Sequence, residues 1–117
     1  MCIRDSFLTD PHNLLLVAFS EGEPCGFATA HRLQRFDRRR ASVLLYEIGV
    51  AERFRQRGYG AALVAGVLQW AKDVDADEMW VLTEPGNAAA RALYRATGGQ
   101  EDEAEVTMFV YPIGREE

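Results

Sequence analysis

The chain has 117 residues, 48% of them hydrophobic, which is enough for one domain with a core and too few for two. Its formal net charge of -5, from 13 Lys and Arg against 18 Asp and Glu, excludes a general nucleic-acid binder and mildly favours a cationic partner. No apolar run approaches the roughly 20 residues of a membrane span, no signal peptide is visible, and Cys2, Cys25, His12 and His31 form neither a disulfide framework nor a metal-ligand pattern, so the sequence predicts a soluble intracellular protein without a metal.

The opening MCIRDS, residues 1–6, reads as a translated sequencing adapter fused to a coding sequence, which leaves 7–117 as one domain and Cys2 outside functional reasoning. NLLLVAFS, Asn13–Ser20, is a short apolar run closed by the turn residues EGEP; CGFATAHRL then sets Phe27, Thr29 and His31 against Ala28 and Ala30, the alternation of a hairpin strand. Beyond the polar QRFDRRR, ASVLLYEIGV (Ala41–Val50) is apolar and β-branched enough for a central strand, with Glu47 as its polar intruder. Over 58–73 the residues Leu63, Val64, Val67, Leu68 and Trp70 recur at helical spacing. EMWVLTE (78–84) predicts another short strand, NAAARALYRAT a second helix with Asn87 as N-cap and Gly98 as its stop, and VTMFVYP (106–112) a last strand. The order β-β-β-α-β-α-β makes a mixed α/β sheet of antiparallel hairpins and a strand-helix-strand crossover.

Charge is unevenly spread. Residues 32–57 carry eight arginines against Asp37, Glu47 and Glu52, while 72–117 carry Lys72, Arg91, Arg95 and Arg115 against eleven acids. One half suits an anion and the other a cation, although ordinary solvated faces give the same pattern, above all for Arg38, Arg39 and Arg40. RFRQRGYGAAL, from Arg53 to Leu63, places guanidinium groups and two glycines at a helix start, where N–H groups lack intrahelical partners and a phosphate can approach bare backbone. The stretch is neither a dinucleotide fingerprint, because Leu63 stands where a third glycine belongs, nor a P-loop, because no Gly-Lys-Ser/Thr follows.

Arg55-Gln56-Arg57-Gly58-Tyr59-Gly60 resembles the Arg/Gln-x-x-Gly-x-Gly pyrophosphate loop of the GNAT superfamily of acetyl-CoA-dependent N-acetyltransferases. YEIGV upstream is similar to the strand of that family that offers backbone groups to the pantetheine arm, and NAAARALYRATGG downstream is similar to its Asn-x-x-Ala-x-x-Leu-Tyr-x-x-x-Gly helix. The resemblance spans about residues 14–112 and looks most like the aminoglycoside 3-N-acetyltransferase branch. It implies a GNAT acyltransferase fold, a mixed and mostly antiparallel sheet flanked by helices. It also implies acetyl-CoA as co-substrate, bound by Ile48, Gly49, Val50, Arg55, Gln56, Arg57, Gly58, Tyr59, Gly60, Asn87 and Tyr94. Only Phe7 to Asn13 precede the first strand, where the family usually places a strand and one or two helices that wall the acceptor site, so the domain is expected to be N-terminally truncated.

By the same resemblance Tyr94 donates a proton to the departing thiolate; a tyrosine packed beside Leu93 is the structural alternative. Glu47 is the candidate base, since an attacking amine must lose a proton and a carboxylate on a half-buried strand can take it directly or through water. A backbone N–H near Gly49 or Val50 would hold the oxyanion. Glu84, at the end of the 78–84 strand, either binds a cationic acceptor or helps to cap the next helix through Asn87. GQEDEAE, from Gly99 to Glu105, attracts a polycation or is a solvated loop. The expected reaction is cytoplasmic acetyl transfer to a primary amine of a small molecule, an aminoglycoside first, with a polyamine, a peptide N-terminus or a metabolite amine as alternative acceptors, and an inactive acyl-CoA-binding module as the rival of another class. A homodimer is left open; nucleic acid and membrane are not expected partners.

Overall fold

A computed structural model describes residues 9–102 and 106–114. The expected adapter scar at 1–6 lies outside the described residues, as do 103–105 of the acidic run and Arg115. Four strands form one sheet in chain order: β1 (Asn13–Ser20), β2 (Glu23–Leu33), β3 (Ala41–Val50) and β4 (Ala76–Trp80). The first hairpin turns on Glu21 and Gly22, both left-handed at φ 51° and 81°, the mirror-type turn whose twist matches that of the flanking strands. β1, β2 and β3 run antiparallel; β4 lies parallel to β3 and is reached through the crossover helix α1 (Tyr59–Asp73). A second helix, α2 (Ala88–Ala96), follows β4. The mixed sheet flanked by helices is the fold class expected from the sequence.

α1 covers one face of the sheet. Ala28 and Ala30 of β2 and Val43 and Leu45 of β3 meet Leu63, Val64, Val67 and Ala71, and all eight are buried. Small residues at the centre of β2 let the helix sit close. The approach is closer still at Gly66, where a Cβ would lie 2.7 Å from Leu16 Cδ1, and this compensates for a glycine inside a helix. Burial of this apolar layer, worth roughly 25 cal/mol per Å² removed from water, is the main term holding the helix to the sheet.

Much of the segregated charge forms an internal strap. Arg35 pairs with Asp77 and, at 2.8 Å, with Glu78; Arg40 pairs with Asp75 at 3.2 Å and donates to the Ala76 carbonyl at 3.1 Å. The arginine-rich 34–40 loop therefore clamps the start of β4 beside β3. Arg38 and Arg39 stay exposed, as solvated residues do. In the acidic run, Glu101 takes hydrogen bonds from Arg91 at 2.9 Å and Arg95 at 3.2 Å; the Arg91 bond, with the charges of both arginines, holds its carboxyl below the usual range.

Two sequence expectations change. The strand expected over 78–84 runs instead from Ala76 to Trp80, because pairing with β3 ends at Leu44 and 81–84 have no ladder to join. The strand expected over 106–112 is not formed: these residues pair with no other strand among the described residues, and Val106, Met108, Phe109, Val110 and Tyr111 are all exposed. β-propensity is a fit to a pleated neighbour, and no described neighbour supplies one. The two regions therefore contrast in stability. Leu45, 1% exposed, should cost about 2–5 kcal/mol as Leu45→Ala in urea unfolding, whereas Tyr111→Ser, at a residue 87% exposed, should stay within about 0.5 kcal/mol. A comparable loss at Tyr111 would mean that the segment packs in solution.

Candidate active site

β3 carries a bulge at the point where the site begins. Thr29 lies opposite Glu47 and Ala30 opposite Leu45, so Tyr46 is an extra residue in the ladder. Without it, Glu47 would share the face of Val43 and Leu45 and point at α1, because side chains alternate along a strand. The extra residue reverses the alternation. Ile48 and Val50 turn to the α1 face and pack against the core, while Glu47 and Gly49 turn to the other face with Phe27 and Thr29. Glu47 is exposed rather than half-buried, and its Oε1 accepts from Thr29 Oγ1 at 3.0 Å. On the same face His31 Nδ1 lies 2.7 Å from Asn13 Oδ1, and its ring meets Tyr46 edge-on at 5.5 Å. A Cβ on Gly49 would come within 3.0 Å of the Phe27 ring, so the strand accepts only glycine there without a shift.

The other edge of β3 is open along this stretch. β3 stays paired with β2 as far as Val50, but its pairing with β4 ends at Leu44 opposite Trp80. Past the bulge, the backbone groups of β3 that face β4 therefore have no strand partner among the described residues, a free edge on which an extended polar chain can lie.

That edge runs into the arginine-glycine loop. A 3-10 turn over Glu52–Phe54 buries Phe54, which meets Tyr59 edge-on at 6.2 Å and carries the guanidinium carbons of Arg53 and Arg57 at 4.5 and 5.6 Å from its ring centre. Arg53 also pairs with Glu23, and Arg55 Nε donates to the Val50 carbonyl at 3.1 Å. Gln56 and Gly58 are left-handed, at φ 63° and 88°. Alternation of this kind turns successive N–H groups to one side, an anion-binding concavity. Gly58 is the N-cap of α1, no side chain caps the helix, and its first bond runs from Ala62 N–H to the Gly58 carbonyl, so the earlier N–H groups have no partner within the helix. A Cβ on Gly58 would meet nothing, whereas one on Gly60 would come 3.3 Å from Leu93. The first glycine supplies conformation and open approach; the second supplies close packing of α2.

α2 starts at Asn87, whose Oδ1 accepts from Ala90 N–H at 3.0 Å, the expected cap. Glu84 lies in the turn before α2, not on a strand; its backbone carbonyl accepts from Asn87 N–H while its side chain is exposed. Tyr94 follows Leu93 on α2 and packs against the edge of the core. No hydrogen bond joins Tyr94 to Glu47 among the described residues. A cleft of about 400 Å³ opens beside Gly49, Val50 and Ala51, walled by Val17, Pro24, Cys25 and Phe27. Two residues here escaped the sequence reading: Phe54, the platform of the loop, and Thr29, the partner of Glu47. The hydroxyl set between Ala28 and Ala30 was the available signal for Thr29.

Burial raises the Tyr94 phenol above its ordinary value. The unfolded chain therefore loses this proton first as pH rises, and the associated stability, complete below the unfolded value near 10, declines above it. Tyr94→Phe should show a shallower loss of unfolding free energy than wild type from about pH 9 to about pH 11 in urea titrations. Parallel curves would place the phenol in water.

The profile described as the acetyltransferase (GNAT) family matches residues 2–98. Aminoglycoside N(6')-acetyltransferase type 1 of Salmonella typhimurium is 30% identical over 102 residues, which are 85% of this chain and 70% of the relative. AAC(6')-Iy, solved with the bisubstrate analogue CoA-S-monomethyl-acetylneamine, is 28% identical, with a TM-score of 0.81 over 92% of this chain and 76% of its own. An aminoglycoside acetyltransferase from an uncultured soil metagenomic sample, solved with trehalose, shares the fold at 21% identity, with a TM-score of 0.85 over 97% of this chain and 78% of its own. The first two names specify the 6' position, where the motif resemblance pointed to 3-N. The profile match takes in every strand and both helices, and the chain belongs to the acetyltransferase (GNAT) family.

Proposed function

We propose that this chain transfers the acetyl group of acetyl-CoA to a primary amine of an aminoglycoside, in the cytoplasm, with the 6' amine as the preferred position. The observation that carries the reading is the unpaired edge of β3, which leads directly into a left-handed loop and an uncapped helix start. A pantetheine-like arm needs an extended run of backbone donors and acceptors, and a pyrophosphate needs converging N–H groups; the two follow one another here. The 30% identity to the Salmonella relative over most of both chains supports the aminoglycoside and the 6' position.

Acetyl-CoA supplies an activated thioester. Ile48, Gly49 and Val50 hold the extended arm through their backbone. The N–H groups from Arg55 to Gly60 hold the pyrophosphate, with Arg57 beside them on Phe54; Asn87 sets the helix that carries Tyr94. Glu47 accepts the proton of the attacking amine. An N–H near Gly49 or Val50 donates to the developing oxyanion, and the Tyr94 hydroxyl, protonated at neutral pH as a phenol is, delivers a proton to the leaving sulfur. Exposed Glu84 adds negative charge for a cationic acceptor.

Gly58→Glu should abolish coenzyme A binding in calorimetry while the chain stays folded, because it puts charge and bulk where the anion sits; retained affinity would remove the loop from the site. Tyr94→Phe should lower kcat by about 10²- to 10⁴-fold with coenzyme A affinity close to wild type. The acceptor itself is read by thiol release from acetyl-CoA against sisomicin, a polyamine and a peptide N-terminus, with the product mapped by NMR. The assay is run on this chain. Acetylation at the 6' amine is the expected result; modification at 3-N would move the position, and turnover of the other amines alone would replace the acceptor.

A further inference from the structure

We propose that Thr29 is a positioning residue for the reaction, acting through Glu47. The inference rests on the reading of Glu47 as the base. Thr29 is 7% exposed, and its neighbours Ala28 and Ala30 are fully buried, so a hydroxyl at this place needs a partner. The partner is the Glu47 carboxylate, with Thr29 Oγ1 donating to Oε1 at 3.0 Å. The two residues lie directly across the β2–β3 ladder, at the register position where the bulge turns Glu47 away from the core.

A glutamate on an exposed strand face has three rotatable side-chain bonds and samples many directions. A donor fixed in the buried strand removes most of that freedom, because a hydrogen bond to a carboxylate is among the stronger kinds. It occupies Oε1 and leaves Oε2 to accept the amine proton. The other groups on this face are His31 of β2, which meets Asn13 of β1 and Tyr46 of β3, and Glu78 of β4, which is paired with Arg35; α1 packs on the opposite face. Thr29 is the residue directly across the ladder from Glu47, and its hydroxyl donates to the carboxylate.

The test compares Thr29→Val, which keeps the shape and deletes the hydroxyl, with Thr29→Ser, which keeps the hydroxyl, and with Glu47→Gln and the Thr29→Val/Glu47→Gln double variant. Two readouts are used on the full chain. In side-chain NMR couplings at neutral pH, which need no turnover, wild type should show one preferred Glu47 χ1 rotamer, Thr29→Val should show averaged couplings, and Thr29→Ser should restore the preference. In acetyl-CoA-dependent acetylation of sisomicin, Thr29→Val should lower kcat about 10- to 100-fold with little change in KM, and Thr29→Ser should recover most of the loss. Thr29→Val should add nothing in the double variant, since both changes act on one group. An unchanged Glu47 rotamer preference in folded Thr29→Val overturns the proposal, as does a Thr29→Val loss that multiplies with that of Glu47→Gln. A large loss in Glu47→Gln with none in Thr29→Val overturns this inference alone. Full activity in Glu47→Gln overturns the reading of Glu47 and this inference with it.

Discussion

One surplus residue in a strand governs the arrangement of the site. A strand places every second side chain on the same face, and β3 keeps Val43 and Leu45 under α1 by that rule. If the rule continued, Glu47 would be driven into an apolar layer, where an unpaired carboxylate is costly. The bulge at Tyr46 resets the parity, and each later residue of β3 takes the place that suits it: Ile48 and Val50 inside, Glu47 and Gly49 outside. Bulges bend the strand that carries them, and here the departure of β3 from β4 falls close by, after Leu44. The carboxylate and the free backbone edge thus occur within one short stretch of chain.

Net charge describes this molecule poorly. Of the eight arginines in 32–57, Arg35 and Arg40 bind the start of β4, Arg53 binds Glu23, and Arg32 reaches the Val74 carbonyl. These are mostly surface contacts, each of small energy, but those of Arg35 and Arg40 together fasten the 34–40 loop to the start of β4. What remains near the helix start is Arg57 over Phe54 and Arg55 at the end of β3. The proposed anion site is therefore made chiefly of backbone N–H groups, with two guanidinium groups beside them, and this suits a ligand recognised by its phosphate shape rather than by bulk charge.

The elements with strong local signals were legible in the sequence. Residues 41–50 and the periodic apolar run after Gly58 became β3 and α1 at almost the expected bounds, and Asn87 caps α2 through its side chain as its type suggests. The loop motif was legible because its chemistry is local: glycine conformation and helix-end donors depend on neighbours in sequence. Non-local facts were not. The bulge depends on register with β2, which no stretch of β3 alone encodes, so Glu47 looked like a half-buried intruder. The 106–112 run has the β-branched and aromatic composition of a strand, but pairing needs a neighbour that the run does not specify. Thr29 looked like one member of an alternating pattern, since its partner is eighteen positions away.

The two glycines of the loop show how one motif can answer two physical demands. Gly58 sits at φ 88° with open space where a side chain would be, so its constraint is conformation and access. Gly60 is the second residue of α1, and a side chain there would press on Leu93 of α2 at 3.3 Å. Leu93 precedes Tyr94, and the contact therefore fixes the height of the proposed proton donor against the helix whose start is proposed to hold the anion. A single methyl at Gly60 would require the Leu93 side chain to give by a few tenths of an ångström. The spacing of the motif thus links the proposed anion site to the packing of the helix that carries the proposed acid. That link makes the Gly-x-Gly pair more informative than a glycine-rich helix start alone, because the second glycine answers to tertiary packing and the first to conformation and access.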